Sequence, residues 1–281
     1  MSKRIIFISS YPKSGNTWVR AIVSAILNNG NVNLNEMGNF VNLFSQQAHF
    51  LPFENCKIQE NGNLDFKFVT DNWINAQERI NMLKKEAVFY KTHNVRGIIN
   101  KKYFTDETTC LGFIHILRDP RDVAISFAKH QGFSIDEAIE TMLFNNEFVT
   151  SVDKVNEAVC TWKNNVESWI AFTSVPRLII KYEEMLNNPR KILSQIIDFL
   201  KILANKDIST SDLFLDKILK VTKFDNLKKL EKNDGFVEAS KFTNFFRKGK
   251  SMQWKNILTK NQIQLIEKEL SNPMKKIGYI T

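Results

Sequence analysis

The sequence predicts an α/β fold: a single domain, residues 1–281, with a central parallel sheet flanked by helices and a P-loop-like turn after the first strand. Three observations carry this reading. Short apolar, β-branched runs alternate with stretches of helical periodicity, the pattern of parallel strands joined by crossover helices. A polar cluster follows each apolar run, and open α/β sheets bind ligands at that carboxyl edge. The stretch SYPKSGNTW, residues 10–18, joins strand to helix through a loop carrying Lys13 and Gly15.

The first strand is RIIFIS (4–9), six residues with three isoleucines and a phenylalanine. TWVRAIVSAIL opens a helix over 17–28. Residues 28–86 are rich in Asn and irregular, either an insertion that shapes an acceptor pocket or a loose surface segment. Two further strands are AVFYKT (87–92) and LGFIHIL (111–117). A helix over 119–130 starts with Pro120 in its first turn, where a missing N–H costs nothing. Helical periodicity continues over 134–148 and 153–172, and RLIIKY (177–182) is the fourth strand. No repeat or low-complexity linker interrupts the chain.

The formal net charge is +9, which points to an anionic partner. The lysines are spread along the chain and no aromatic-basic repeat or long basic helix occurs, so a nucleic-acid partner is not expected. Three cysteines, Cys56, Cys110 and Cys160, form no C-x-x-C. A disulfide framework or zinc site is therefore not expected, and a reducing compartment fits. No run approaches about 20 apolar residues, and the N-terminus lacks the pattern of a signal peptide. These features predict a cytoplasmic protein with no integral membrane segment.

The loop at 10–18 is not a nucleoside-triphosphatase loop, which reads G-x-x-x-x-G-K-[ST]. Here Lys13 precedes the glycine. The loop still offers backbone N–H groups at a helix N-terminus, hydroxyls on Ser14 and Thr17, and a Gly15 that permits close approach of an anion. Alternatively it is a capped helix beside an exposed lysine. Arg118, in LRDPRDVAISFAKH, can grip a phosphate bidentately or pair with Asp119 or Asp122. Ser126 serves the same anion only if the ligand lies along this helix. YKTH (90–93) brings His93, a candidate general base, to the same edge. His115 lies inside a strand and reads as a core residue, while His49 and His130 carry no motif. FFRKGKSMQWKN (245–256) is a basic loop able to close on a phosphate or merely to face solvent.

Taken in order, these motifs resemble the sulfotransferases that use 3′-phosphoadenosine-5′-phosphosulfate (PAPS). YPKSGNTW is similar to the family's 5′-phosphosulfate loop, and LRDPRDVAISF to its 3′-phosphate motif. KTH resembles the segment with the catalytic histidine, KYEEMLNNP the YED segment, VTKF (221–224) a T-x-F segment, and FRKGKSMQWKN the late basic loop. The likeness is greatest to the cytosolic type. It implies PAPS as co-substrate, the bisphosphate PAP as product, and no metal. It implies that His93 takes the acceptor's proton and Lys13 stabilises the leaving oxygen. Lys91 would contact the sulfuryl group, and Ser126 would bind the 3′-phosphate and restrain Lys13. The nucleotide would be held by Ser14, Gly15, Asn16, Thr17, Trp18, Arg118, Tyr182, Thr222, Phe224, Phe246, Arg247, Lys248 and Gly249. The sequence departs from the family at Asn16, where Thr is usual, and in SMQWKN, which lacks the Gly-Asp before Trp254. The acceptor implied is a small molecule with a hydroxyl or amine. A carbohydrate or glycolipid acceptor, an ATP-dependent small-molecule kinase and an inactive binding module are the alternatives, and a homodimer is left open.

Overall fold

The computed structural model describes residues 3–152, 155–239 and 242–281. Its main sheet is parallel. It contains β1 (Ile5–Ser10), β2 (Val41–Leu43), β3 (Val88–Thr92), β4 (Cys110–Leu117) and, after a further hairpin, β7 (Arg177–Lys181), in the order β2-β3-β1-β4-β7. The predicted strands are therefore all present, shifted by at most a residue or so at their ends. β1 runs down the middle, and the chain winds outward from it on both sides. This puts the β1 loop at the reversal of winding, the crevice where α/β sheets hold ligands.

Alternation along β1 builds two cores. Ile6 and Ile8 face α1 (Asn16–Leu27), together with Ile114, Ile116 and Ile180 from the neighbouring strands. Ile5 and Phe7 face the other way, against Trp73, Phe104, Phe113 and Trp169. A third cluster at the carboxyl end joins Tyr11 and Leu117 to Val123 and Phe127 of α3 (Pro120–Gln131). Asp119 caps α3 by accepting from the Arg121 N–H, and Gly132 ends it at φ 75°.

The segment 28–86 is not a loose surface. It supplies β2, which extends the sheet, and α2 (Trp73–Leu83), with Phe44, Phe50, Leu64, Val69 and Trp73 buried. Two helix predictions also need correcting. The 134–148 helix, α4, spans Ile135–Phe144 and stops at Asn145, which is extended. The 153–172 run is not one helix. β5 (Val149–Val152) pairs antiparallel with β6 (Val155–Ala158), and α5 covers only Trp162–Ile170. Residues 153–154 lie outside the described residues. The reason is local. Val155 and Glu157 alternate inward with period 2, and Thr161 starts a new helix by accepting from the Asn164 N–H. After β7 come α6 (Tyr182–Asn187), α7 (Pro189–Ala204), α8 (Asp212–Val221) and α9 (Phe224–Asp234). Among the described residues no helix is long and apolar enough to cross a membrane.

Candidate active site

The loops after β1, β3 and β4 meet at one cavity of about 940 Å³. Its walls include Lys13, Gly15, Asn16, Thr17, Trp18, Lys91, His93, Arg118, Ser126, Tyr182, Phe224 and Phe246. A neighbouring cavity of about 480 Å³ shares Trp18 and Phe224 and adds Thr222, Lys248 and Gly249. Ser14 and Arg247 line neither. Most residues singled out in the sequence thus converge, although they come from positions 13 to 249.

The β1 loop is shaped for an anion. Gly15 is the N-cap of α1 at φ 105°, with no side chain to close the first turn. The first N–H groups of the helix therefore face outward with the positive end of its dipole. A Cβ on Gly15 would lie 2.7 Å from Tyr182 Cδ2, so the backbone sits directly against that ring. Ser14 Oγ is buried without a partner among the described residues. The Asn16 amide nitrogen turns back into the sheet, donating to the Ile8 carbonyl at 3.0 Å and to Ser10 Oγ at 3.3 Å, so its side chain keeps no N–H donor for an anion.

Lys13 is half-buried at the cavity wall, its Nζ 3.9 Å from the centre of the Phe245 ring, and forms no ion pair among the described residues. Burial first, and then the nearby Arg118 guanidinium, lower its pKa to about 7, with Glu231 and Glu238 opposing the shift. Arg118 donates to the Lys13 carbonyl at 2.9 Å and to the Lys250 carbonyl at 3.3 Å, and lies 4.2 Å over Tyr182. Asp119 is engaged by Arg121 at 2.6 Å, so it is not paired with Arg118. Asp122 accepts from the Trp254 N–H. Arg118 Nε is buried without a partner among the described residues. Arg247 is lowered by burial and then by Arg118, and its Nη2 reaches Gln253 Oε1 at 3.2 Å. Gln253 therefore ties the late loop where the family pattern has Asp. Ser126 makes no hydrogen bond to Lys13 among the described residues.

The aromatic wall is one connected group. Trp18 Nε1 donates to the Thr222 carbonyl at 2.8 Å, and its ring stands edge-on to Tyr182 and Phe224. Phe224 meets Phe246 at 5.7 Å. Gly249, at φ 60°, lets the late loop lie on the Phe224 ring, since a Cβ there would come within 2.4 Å of it.

His93 Nδ1 is 2.8 Å from the Ser10 carbonyl. A carbonyl only accepts, so Nδ1 carries the proton and Nε2 is left as a bare nitrogen. Burial, then Lys91, push the His93 pKa down to about 3 despite Glu157, so the ring is neutral at physiological pH. His115 behaves as predicted: fully buried, bonded to Ser9 Oγ and stacked on Trp169.

Sequence reasoning missed Glu157. From β6 it meets Lys91 Nζ at 2.8 Å, the His93 backbone N–H at 2.8 Å and Thr92 Oγ1 at 3.2 Å. Burial alone would raise this carboxyl, and Lys91 and His93 outweigh that, holding it at about 2. Its signal was the inward period-2 position beside Val155. Leu43, Gln46, His130, Phe133 and Phe148 also line the cavity, the first two from the Asn-rich segment. Among the described residues no group of three or more His, Cys, Asp or Glu is arranged to hold a metal.

An open helix N-terminus, three cations and a bare imidazole nitrogen meet in one cavity. Comparison with known proteins gives the family. The family model described as "Sulfotransferase domain" matches residues 3–278. Sulfotransferase 1B1 of Canis lupus familiaris is 27% identical over 296 residues, covering 95% of this chain and 83% of the relative. Cytosolic sulfotransferase 17 of Arabidopsis thaliana is 25% identical over 298 residues, covering 98% and 75%. A crystal structure of mouse sulfotransferase SULT7A1 complexed with PAP shares the fold, with a TM-score of 0.61 and 21% identity, covering 98% of this chain and 86% of that one. Retinol dehydratase in complex with retinol and PAP has a TM-score of 0.64 and 20% identity, covering 98% and 83%. The chain belongs to the sulfotransferase domain family.

Proposed function

We propose that this sulfotransferase moves a sulfuryl group from PAPS to a hydroxyl, or an amine, of a small-molecule acceptor, with His93 as general base. The observation that carries the reading is the bare Nε2 of His93 in the same cavity as Lys13 and the open end of α1. The residues present fit the donor. Among the described residues Ser14 Oγ and Arg118 Nε are buried without partners, and Gly249 leaves room where a side chain would collide with the Phe224 ring. Arg118, Arg247, Lys248 and Ser126 would hold the 3′-phosphate. Trp18, Tyr182, Thr222, Phe224 and Phe246 would enclose the base, and the backbone of 14–17 would hold the 5′ end.

Bound PAPS supplies the sulfuryl group and a nucleotide leaving group. His93 Nε2 takes the proton of the attacking hydroxyl, while Nδ1–H holds the ring on the Ser10 carbonyl. Lys13 in its charged form offsets the negative charge growing on the leaving oxygen. Lys91 lies at the cavity wall, and its ammonium would meet the sulfuryl oxygens. Asp119, engaged by Arg121, favours this reading over an ATP-magnesium kinase. The phenylalanines and the half-buried Gln46 around the cavity favour a small acceptor over a glycan or glycolipid. The cytoplasm is the proposed location. The test is His93→Ala. The expected loss in kcat is at least 10²-fold, in the range of about 10²–10⁴ typical of a general base, with PAP affinity unchanged. An active His93→Ala enzyme would refute the assignment.

A further inference from the structure

We propose that Glu157 is a positioning residue for the transfer reaction, bracing residues 91–93 so that Lys91 and His93 keep one geometry in the cavity. The inference rests on the proposed function for the roles of those two residues, and on the structure for the brace. One buried carboxylate meets three consecutive residues of the chain. Oε2 is 2.8 Å from Lys91 Nζ, and Oε1 accepts from Thr92 Oγ1 at 3.2 Å and from the His93 N–H at 2.8 Å.

The β5–β6 hairpin that carries Glu157 adds more ties to the same segment. Asn94 Oδ1 accepts from the Ala158 N–H at 2.7 Å, and the Ala158 carbonyl accepts from the Val95 N–H at 2.7 Å. Asn165, just after the hairpin, donates to the His93 carbonyl at 2.9 Å. The backbone of His93 is therefore held on both its N–H and its C=O sides. Lysine is a flexible point charge with three donors. One donor on Glu157 fixes the chain and leaves the others for an anion. Lys91 is only 6% exposed and Glu157 not at all, so the pair is dry enough for loss of one partner to matter.

Glu157→Gln keeps an acceptor for the His93 N–H and removes the charge that holds Lys91. The expected result is a fall in kcat of at least tenfold, with PAP affinity and the KM for PAPS within twofold of the wild type. A residue that merely supports the fold would lower the melting temperature and leave kcat per folded molecule unchanged. The second arm is Lys91→Met and the double variant Lys91→Met with Glu157→Gln. The double variant should have the kcat of Lys91→Met alone, within twofold. A further loss in the double variant overturns the proposal even where Glu157→Gln alone does not fold. The proposal is overturned by a Glu157→Gln enzyme within twofold of wild-type kcat, or by a further tenfold loss on adding Glu157→Gln to Lys91→Met. A wild-type protein that neither binds PAP nor transfers sulfuryl overturns both this proposal and the function it rests on. An active wild type with an indifferent Glu157 overturns this proposal alone.

Discussion

Among Lys13, His93 and Glu157, Lys13 is the one whose pKa lies nearest physiological pH. Free, its pKa is near 7 because burial and then Arg118 and Arg247 outweigh Glu231 and Glu238. An anion bound beside it raises that value, so donor binding takes up a proton at and above pH 7. The signs follow. Affinity for PAP should fall as pH rises from 7 to 9, and kcat/KM for the donor should fall with it. Calorimetry at pH 8 in buffers of different ionisation enthalpy should show net proton uptake approaching one. His93, with its pKa near 3, adds no acid limb above about pH 5. Stability of the free protein moves the opposite way. The unfolded chain holds the Lys13 proton up to about 10.5 and the folded one only to about 7. This residue therefore makes the fold more stable as pH rises across that window. An affinity independent of pH from 6 to 9 would contradict this account of Lys13.

At the scale of elements, the strand-loop-helix unit of β1 and α1 depends on one backbone conformation. Gly15 at φ 105° is strained for any other residue, and Tyr182 occupies the space a Cβ needs. Gly15→Ala should cost on the order of 1–3 kcal/mol in stability and weaken PAP binding at least tenfold. Chemical denaturation and calorimetry on the same sample check both. The unit was legible in the sequence because glycine, lysine and the strand-to-helix change in period all fall within nine residues. The β5–β6 hairpin was not. Its strands are four residues each, its charged residues mimic a helical face, and its stability comes from contacts with residues 93–95 more than 60 positions away. Glu157 was missed for the same reason, since a buried acid is recognised by its partner and Lys91 is distant in sequence. β2, three residues on the sheet edge within an Asn-rich stretch, carries too little periodicity to read.

The whole molecule gathers its cations from far apart in the chain into one crevice. Lys13, Lys91 and Arg118 come from three adjacent strand ends and line that crevice, while Lys248 of the late loop lines the neighbouring cavity. Parallel pairing of β3, β1 and β4 makes the first three neighbours. The sequence order of strands and polar clusters was enough to predict this convergence, whereas the acceptor end of the cavity needed the tertiary fold. We propose that this crevice takes an adenosine bisphosphate-type donor without metal. Calorimetric titration with PAP tests it most directly, with ATP plus magnesium as the comparison and Arg118→Ala as the control. The account predicts tight PAP binding, binding of ATP with magnesium at least tenfold weaker, and a loss of about 10–100-fold in PAP affinity for Arg118→Ala, as for removal of a charge-assisted pair. Preference for ATP with magnesium, or PAP binding unaffected by Arg118→Ala, would contradict it.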